Sequence, residues 1–532
     1  MTTKLTRAQF LEWTALSGLG SVIGCGSDES HAYPSCPAPD AIAEVGTTRR
    51  FEYFHGVASG DPGTDRVVLW TRLTCCVPLD EVETVEIGWE VASDESFVPV
   101  LAHGLATTSA ERDFTVKVDV LGLPADARLF HRFYDPGAAD DRSPIGRTWT
   151  LPSGHVARAT FAAIACTAYS TGYFNAYRHI ALRDDLRFVL HLGDYIYEYG
   201  TEYYDDDSLD RRPDPSHELR TLRDYRTRYA QVRSDPDLQA VHAAHPFVAI
   251  WDDHEIIDDV WDGGAAGHGS DDRDFATRRA AAIEAYVEWM PVRETIRDGH
   301  VSLYREVAIG DLLDILLVDT RLEARDRQGT ATAADPTSTL LGDAQERWLF
   351  DALSGSSERG DAWRILASPV VVMQLVIPDF SLDLIGWEGY PAVRERLFDH
   401  LEAESIRDVV VLSGDFHAAI GAEVARDPFD PALYDPSTGE GTILPEIAVT
   451  SATSPAGKRF VRADGPSVVA ATHPHVRFFD EHLRGYVVVD VQEDAVVADV
   501  LRSRTIRERD PHHTRAVRFT VDRGSPGLRV DG

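Results

Sequence analysis

Residues 51–150 alternate hydrophobic and polar side chains with a period of two. The alternation is clearest at residues 85–91 and 114–120, and a shorter run spans residues 129–134. Strict alternation places one face of a strand against a core and the other face in solvent, as in antiparallel sheets. Clusters of Asp and Gly separate these runs, as turns do. The pattern predicts a small antiparallel β-sandwich in the N-terminal part of the chain.

The pattern changes after residue 158, where short and fully apolar runs alternate with stretches of helical length. Runs without a polar face are buried on both sides, as in a sheet that is covered by helices. They occupy residues 161–164, 188–192, 247–251, 312–319, 363–367, 409–412 and 447–450, and a hairpin-like segment follows at 485–503. We therefore expect an α/β protein with a sandwich domain at residues 46–155, an α/β domain at 156–505 and a C-terminal extension at 506–532.

Residues 1–45 are typical of an export signal followed by a tether. Lys4 and Arg7 precede an apolar stretch that is shorter than the roughly 20 residues that a bilayer span requires. The stretch ends in Val22-Ile23-Gly24-Cys25, which is similar to a bacterial lipoprotein cleavage box. We expect an exported protein that is periplasmic, secreted or held at the cell surface by a lipid on Cys25, and no transmembrane span. The alternative is a chain terminus with a chance cysteine.

The charge and the cysteine content narrow the classes of partner. The 532 residues include 52 Lys and Arg and 87 Asp and Glu, which gives a formal net charge of −35 at pH 7. So acidic a chain repels a phosphate backbone, and specific nucleic-acid binding is not expected. Five cysteines do not form a disulfide scaffold. In an oxidising compartment Cys36 would pair with Cys75 or Cys76, and equally all three fit as small buried residues.

Four of the apolar runs end in side chains that bind metals. These side chains are, in chain order, Cys166, Asp194, Tyr197, Asp253, His254, Asp415 and His417. In open α/β sheets ligands bind outside the carboxyl ends of the strands, so parallel strands would bring these side chains to one rim. Each motif alone has an ordinary structural explanation, such as an inert buried cysteine or a helix cap. Together the four strand ends predict a metal centre.

The types of ligand indicate two different cations. The candidate ligands are Cys166, Asp194, Tyr197, Asp253, Asp415 and His417. Thiolate and phenolate suit ferric iron better than zinc, and imidazole suits Fe, Zn or Cu. The carboxylates of Asp253 and Asp415 form an oxygen-rich second site that suits a hard ion such as Ca²⁺, Mg²⁺ or Mn²⁺. The carboxylate of Asp194 can bridge the two ions.

Such a pair of cations predicts chemistry at phosphorus. Two metals about 3.5–4 Å apart form a clamp for displacement, in which one ion supplies hydroxide and both neutralise the phosphoryl oxygens. His254 follows a candidate ligand and is not itself in the ligand set. It is therefore the candidate catalytic residue, which stabilises charge in the transition state or protonates the leaving oxygen. We expect hydrolysis of phosphate esters by a binuclear-metal-activated hydroxide.

At these residues the chain resembles the PhoD-like alkaline phosphatase/phosphodiesterase family of metallophosphoesterases. The resemblance extends from residue 51 to residue 500, and its motifs lie at residues 54–62, 69–72, 191–197, 251–255, 319–321, 387–391 and 413–417. It implies a β-sandwich ahead of a four-layer α/β/β/α catalytic domain. It also implies an exported enzyme with an Fe³⁺ and Ca²⁺ centre that hydrolyses phosphodiesters and often monoesters, which would serve phosphate scavenging.

The resemblance also implies roles for particular residues. It assigns the iron to Cys166, Asp194, Tyr197 and His417, and the second ion to Asp194, Asp253 and Asp415. His254 would face the scissile phosphate. The sequence departs from the family pattern at Ala165-Cys166-Thr167, in place of Ser-Cys-Gln, and at Asp258-Asp259, in place of two asparagines. The extra negative charge would tighten the Ca²⁺ site or repel phosphate.

Two other functions fit the same residues. A phospholipase D-like phosphodiesterase would act on phospholipid head groups; exposed apolar loops near the rim would favour it, and the acidic surface disfavours it. A metal-stabilised binding protein without catalysis would use the sandwich as its working module. The presence of His254 argues against the second alternative, because a purely structural metal site does not need this residue.

Overall fold

A computed structural model of the chain describes residues 51–75, 84–201, 203, 208–266, 273–297, 299–375, 386–456, 469 and 471–532. The predicted export signal with Cys25 and the predicted disulfide partners Cys36 and Cys76 lie outside these residues. None of the helices in the described ranges combines the length and the apolar composition that crossing a membrane requires.

The helices of the described residues mostly connect the strands of the α/β part. They are α1 (Asn175–Ala181), α2 (Leu222–Arg233), α3 (Pro236–Ala244), α4 (Arg273–Trp289), α5 (Thr330–Ala334), α6 (Gly342–Arg359) and α7 (Pro391–Ala403). Thr221 begins α2 with a capping box, in which its hydroxyl accepts from the backbone N–H of Asp224 and the Asp224 carboxylate accepts from the N–H of Thr221. Helix α6 ends at Arg359 and is followed by the capping residue Gly360, whose φ of 78° is left-handed.

The strands fall into two groups along the chain. The first group is β1 (Phe51–Glu52), β2 (Val57–Gly60), β3 (Arg66–Arg72), β4 (Thr74–Cys75), β5 (Val85–Ala92), β6 (Val100–Thr108), β7 (Thr115–Leu121), β8 (Arg128–Asp135), β9 (Ala138–Arg142) and β10 (Gly146–Trp149). The second is β11 (Arg158–Ile164), β12 (Val189–Leu192), β13 (Phe247–Ile250), β14 (Thr295–Arg297), β15 (His300–Ser302), β16 (Arg305–Ile309), β17 (Leu313–Leu317), β18 (Trp363–Ser368), β19 (Val409–Ser413), β20 (Ala419–Ala425), β21 (Thr442–Ala448), β22 (Val476–Asp480), β23 (Gly485–Gln492), β24 (Ala495–Ser503), β25 (His513–Asp522) and β26 (Arg529–Asp531).

Two large sheets carry the strand ends that the sequence analysis singled out. The ten-stranded sheet has the order β26-β25-β24-β23-β11-β12-β13-β2-β3-β7, in which β11, β12 and β13 are parallel. The seven-stranded sheet has the order β16-β17-β18-β19-β21-β20-β22, in which β17, β18, β19 and β21 are parallel. The predicted rim is therefore built from two sheets, and an isolated bridge between Ala165 and Ser451 connects the ends of these sheets.

The seven-stranded sheet packs between two cores. Along β17, the side chains of Leu313, Ile315 and Leu317 face one core while Leu316 faces another. The first core includes the strands of the ten-stranded sheet, and the second includes Leu349 of α6 and residues of α7. Because alternate residues of a strand point to opposite faces, this division gives the order helices, sheet, sheet, helices. The predicted four-layer α/β/β/α architecture is confirmed.

The N-terminal sandwich shares a sheet with the α/β part. Its separate layer is the sheet of β5, β6, β8, β9 and β10. The facing layer consists of β2, β3 and β7, which continue the ten-stranded sheet beyond β13. Val67 and Leu69 of β3 pack with Ile87 of β5 and Phe133 of β8 in the core between the layers. The predicted sandwich is confirmed, and its backbone hydrogen bonds join it to the strand that leads to the candidate site.

Strands from the predicted C-terminal extension also belong to the ten-stranded sheet. Residues 513–522 form β25, which pairs along its length with β24, and β26 pairs with β25. The predicted late hairpin is β23 and β24. The predicted run at 447–450 is the end of β21, which stops at Ala448. Strands from the sandwich and from the C-terminal segment belong to the same ten-stranded sheet as β11, β12 and β13. The sheet therefore does not mark the domain boundaries, which stay a prediction.

Candidate metal centre

The candidate ligands lie on turns that follow four parallel strands. Cys166 follows β11, Asp194 follows β12 and Asp253 follows β13 in the ten-stranded sheet, whereas Asp415 and His417 follow β19 in the seven-stranded sheet. The backbone ties neighbouring turns together, since the N–H of Cys166 donates to Gly193 O at 3.1 Å and the N–H of Thr167 donates to Asp194 O at 2.7 Å. The candidate ligand side chains therefore rest on a fixed frame.

Left-handed backbone conformations mark these turns. Cys166, Asp194 and His417 each have a φ of 58°, and Asp415 has a φ of 62°. Non-glycine residues avoid this region, and a residue held there costs of order 1–3 kcal/mol that the surrounding structure must offset. Gly193 has a φ of 100°, and a Cβ there would lie 2.5 Å from the Cβ of Asp252. Only glycine allows this close approach of β12 to the turn after β13.

The first cluster consists of Cys166, Asp194, Tyr197 and His417. Its Cys, Asp and His ligand atoms lie within 4.8 Å of one another. The phenol oxygen of Tyr197 is 2.9 Å from Oδ2 of Asp194 and 2.9 Å from Nε2 of His417. Burial and the negative charges of nearby aspartates raise the pKa of the Cys166 thiol well above its usual value. A cation that binds the thiolate would offset that cost.

Contacts from the segment after β21 orient two members of the first cluster. Nδ1 of His417 lies 2.7 Å from Pro455 O, so it carries the proton and donates to that carbonyl. This leaves Nε2, the atom that faces Asp194 and Tyr197, with a free lone pair. The hydroxyl of Ser454 donates to the phenol oxygen of Tyr197 at 2.8 Å.

The second cluster is an overlapping set of carboxylates with His254, in which Asp194, Asp252 and Asp253 are buried and Asp258, Asp259 and Asp415 are half-buried. Three groups make up this cluster, and in each of them the ligand atoms lie within 4.8 Å of one another. Asp253 belongs to all three groups. Its partners are Asp194 and His254 in the first, Asp252 and Asp415 in the second, and Asp258 and Asp259 in the third. Burial and the neighbouring Asp252 raise the pKa of Asp415 well above its usual value. Burial also opposes ionisation of Asp253, but the charges of Arg321 and His254 outweigh it and hold the pKa of this carboxyl below its usual value.

Arg321 supplies positive charge to the second cluster. Its guanidinium is fully buried and donates to both carboxylate oxygens of Asp252, at 2.6 and 3.0 Å. The same group lies 3.4 Å from Asp415 Oδ1 and 3.5 Å from Asp253 Oδ2. One guanidinium shared among three carboxylates leaves excess negative charge at the strand ends, which a bound cation would neutralise.

His254 lies between the two clusters and is held by Glu198. Nδ1 of His254 donates to Glu198 Oε2 at 2.8 Å, and the other oxygen of Glu198 accepts from the N–H of Asp258 at 2.7 Å. The imidazole ring is 4.2 Å from the ring of Tyr197. Burial lowers the pKa of His254, but the charges of Asp253, Glu198 and Asp194 outweigh it and raise that pKa well above its usual value.

The structure brings together every site residue that the sequence predicted, including Cys166 and His417, whose separation would have excluded a metal centre. Sequence reasoning missed the roles of Glu198, Glu255 and Arg321. The buried carboxylate of Glu255 accepts from the N–H groups of Asp194, Tyr195 and Asp252 and so fixes two of the turns. All three are ionisable residues that follow apolar runs closely in the sequence, and this position could have marked them as candidates. The sequence does not show which residues they contact.

Comparison with known proteins identifies the family. The sequence profile of the PhoD-like phosphatases matches residues 161–500, and that of the N-terminal domain of PhoD-like phosphatases matches residues 40–152. Alkaline phosphatase D of Bacillus subtilis (strain 168) is 36% identical over 495 residues, which cover 89% of this chain and 81% of that protein.

The chain belongs to the PhoD-like phosphatase family. Among solved structures, that of PhoD matches with a TM-score of 0.81 at 34% identity and covers 91% of this chain and 93% of its own. A purple acid phosphatase from seeds of yellow lupin (Lupinus luteus) matches with a TM-score of 0.55 at 11% identity, over 88% of this chain and 74% of its own. At that identity the likeness shows a shared fold alone.

The hydrogen bonding of buried oxygen atoms indicates whether cations fit this PhoD-like site. Oδ1 of Asp194 and Oδ1 of Asp253 are buried without a hydrogen-bond partner among the described residues. A buried carboxylate oxygen without a partner is costly, and a cation would remove that cost. The Tyr197 oxygen lies at hydrogen-bond distance, 2.9 Å, from Oδ2 of Asp194 and from Nε2 of His417, so these three atoms are close enough to bind one cation together. The residues fit bound metal, and the ligand assignments stay a prediction.

Asp415→Asn is expected to change stability in opposite directions with and without metal. In the metal-free protein the substitution removes a carboxyl group whose ionisation its neighbours oppose, so we expect the melting temperature to rise by about 1–2 °C. In the metal-loaded protein it removes a candidate ligand, so we expect the affinity for the divalent cation to fall about 10-fold or more. Thermal unfolding measured across a Ca²⁺ titration, starting from chelator-treated protein, gives both quantities.

Asp490→Asn is the matched control, because Asp490 of β23 is paired with Arg158 at the start of β11, the opposite end of that strand from Cys166. It should shift the melting temperature equally with and without metal. Equal shifts for Asp415→Asn would show that Asp415 does not contact the cation.

Proposed function

We propose that this PhoD-like protein hydrolyses phosphodiesters and phosphomonoesters at a binuclear metal centre and releases phosphate for uptake. Family membership supports the phosphoesterase activity. The position of His254 carries the proposal, because its ring adjoins the Tyr197 ring of the first cluster while it shares the second cluster with Asp194 and Asp253. A non-catalytic metal site would not need a buried imidazole that a carboxylate orients in this way.

The two clusters support different cations. Cys166, Asp194, Tyr197 and His417 would hold Fe³⁺, and Asp194, Asp253 and Asp415 would hold Ca²⁺, with Asp258 and Asp259 adding negative charge beside the second ion. Bound in this way, the cations would acidify water and neutralise charge on the phosphoryl oxygens. The chain's own contribution is to keep the ligand atoms in place, through Pro455 and Ser454 on one side and Glu255 and Arg321 on the other.

His254 holds a proton where a phosphate ester would need it. Because Nδ1 donates to Glu198, the ring cannot rotate freely and Nε2 stays available to the substrate. The negative charge of Glu198 favours the imidazolium, which donates from Nε2 to a phosphoryl or leaving oxygen. Glu198 is therefore a positioning residue that acts through His254.

Hydrolysis of bis(4-nitrophenyl) phosphate and 4-nitrophenyl phosphate tests the proposal. We expect the metal-loaded protein to cleave both and to lose activity with a chelator. His254→Ala should lower turnover about 10²–10³-fold, the effect of losing one charge-stabilising donor, while elemental mass spectrometry finds the metal content unchanged. Glu198→Gln should lower turnover less than His254→Ala does. The variant that carries both substitutions should have the same turnover as His254→Ala, because the two residues act as one unit.

Three results would contradict this account. Failure of the metal-loaded wild type to cleave either ester would exclude the proposed activity. Wild-type turnover in His254→Ala would remove that residue from the mechanism. Metal loss in His254→Ala would make it a ligand rather than a proton donor.

Tyr197 ligation to ferric iron predicts a colour. A phenolate bound to Fe³⁺ gives a visible charge-transfer band, so the iron-loaded protein should absorb in the visible range and Tyr197→Phe should abolish that band. Tyr195→Phe is the matched control, because the hydroxyl of Tyr195 contacts Nε2 of His242 at 2.8 Å instead of the first cluster. An absorption spectrum of each iron-loaded variant decides the matter. A colourless wild type, or a band that survives in Tyr197→Phe, would refute the assignment.

We also propose that the protein acts outside the cytoplasm. The support is the basic and apolar N-terminal segment that ends in Cys25. Mass spectrometry of the protein isolated from its native cells should find the segment removed, with a lipid on Cys25 or a chain that starts beyond it. An intact chain that starts at Met1 in the cytoplasmic fraction would overturn this prediction.

A further inference from the structure

A buried glutamate lies among apolar side chains near the end of β21 in the seven-stranded sheet. Glu446 is 0% exposed. Its neighbours on the same face of the strand, Leu444 and Ala448, belong to the second core. Burial raises the pKa of Glu446 to about 7, although the hydrogen bonds that its carboxylate accepts oppose this shift. A carboxyl group in an apolar core is costly unless hydrogen bonds offset its burial, so the partners of Glu446 indicate what it does.

The hydrogen-bond partners of Glu446 lie where two parallel strands end. The N–H groups of Val372 and Met373, in the segment after β18, donate to its two carboxylate oxygens at 2.9 and 2.6 Å. The hydroxyl of Ser413, the last residue of β19, donates to Oε1 at 2.6 Å. Ser413 stands two positions before Asp415 in the sequence. Glu446 therefore joins the segment after β18 to the strand that leads into the candidate ligands.

The segment after β18 also contacts the turn after β19 directly. The N–H of Gly414 donates to Pro369 O at 2.9 Å. A Cβ at Gly414 would lie 3.0 Å from Pro369 O and 3.0 Å from Leu192 O of β12, so this turn is confined between the segment after β18 and the other sheet. Asp415 and His417 follow with φ values of 62° and 58°, which the surroundings must hold in place. Contacts that fix the segment after β18 therefore help to fix both candidate ligands.

Glu446 has the same kind of environment as Glu255 in the ten-stranded sheet. Both are buried carboxylates that accept from three donors and join the ends of neighbouring strands. The donors to Glu255 include the N–H of Asp194, a candidate ligand, and the donors to Glu446 include the residue at the start of the turn that carries Asp415. Residues that orient metal ligands in this way typically contribute a factor of about 10–100 to metal affinity or activity.

We propose that Glu446 is a positioning residue, which fixes Ser413 and the segment after β18 and thereby holds the turn of Asp415 and His417 in the orientation that binds metal. This inference rests on the proposed function, since it concerns the ligands of the same centre. The hydrogen bonds of Glu446 go to backbone N–H groups and to the Ser413 hydroxyl, so it acts on the candidate ligands through these groups.

Calorimetric titration of chelator-treated protein with Ca²⁺ tests the inference. In Glu446→Gln an amide NH₂ replaces one acceptor oxygen and faces the donors that the carboxylate now binds. We expect the affinity for Ca²⁺, measured well below the melting temperature, to fall about 10-fold or more. A residue with a purely structural role would lower the melting temperature and leave this affinity unchanged, and that result would overturn the inference.

Glu423→Gln is the matched control. Glu423 is a buried glutamate of β20, the strand that pairs with β21, and it accepts from the Tyr434 hydroxyl, the Arg477 guanidinium and the N–H of Leu528. These partners lie outside the turns of the metal centre. The substitution should lower the melting temperature and keep the affinity for Ca²⁺. A loss of affinity as large as that in Glu446→Gln would show a general effect of core glutamates and would overturn the inference.

Ser413→Ala keeps the inference testable if Glu446→Gln does not fold. It removes one of the three hydrogen bonds of Glu446 and should lower the affinity for Ca²⁺ about 2- to 10-fold. Unchanged affinity in that variant would overturn the inference. The wild type separates this inference from the proposed function. If it binds Ca²⁺ and cleaves the nitrophenyl esters while the variants keep its affinity, this inference alone is refuted. If it binds no Ca²⁺, the proposed second ion is refuted together with this inference.

Discussion

Carboxylates at the ends of β12, β13 and β19 meet in a space where Arg321 is the shared counter-charge. The guanidinium pairs with Asp252 through two hydrogen bonds and reaches Asp253 and Asp415 at longer range. Buried charges of one sign are tolerated only where opposite charge or hydrogen bonds offset them. The left-handed turns at Cys166, Asp194, Asp415 and His417 add further strain to the same edge. The electrostatic part of this unfavourable energy is what a cation bound between the carboxylates would offset.

The sheets explain how the protein maintains this arrangement. Backbone hydrogen bonds join the turns after β11 and β12, and the carboxylate of Glu255 joins the turns after β12 and β13. Each of the three strands is paired on both sides within the ten-stranded sheet. The sandwich strands β2, β3 and β7 lengthen that sheet on one side, and β23 to β26 lengthen it on the other. Because the strands are buried on both faces, a shift at one turn would disturb packing along a whole strand. The rigidity of the core thereby fixes the positions of the candidate ligands.

The sequence predicted much of this fold, because burial leaves a simple pattern. Short runs without polar residues, such as 409–412, are typical of interior strands, and the residues directly after them lie at the carboxyl end of the sheet. The sequence did not predict that Glu198 holds His254 or that Glu255 joins two turns, since both contacts connect residues about 60 positions apart. An acid after a strand looks the same whether it caps a helix, binds a metal or accepts three N–H groups. Only its neighbours in space distinguish these roles.

The segment after β12 couples the parts of the site that perform different tasks. It carries Asp194 and Tyr197 of the first cluster and Glu198, which orients His254. Arg228 of α2 anchors this segment, since its buried guanidinium donates to the carbonyl oxygens of Tyr197 and Tyr199 and also to Pro215 O. Candidate ligands and the residue that orients His254 therefore share one backbone. A substitution that shifts this backbone would move both together, whereas Glu198→Gln would alter the contact with His254 and leave the candidate ligands in place.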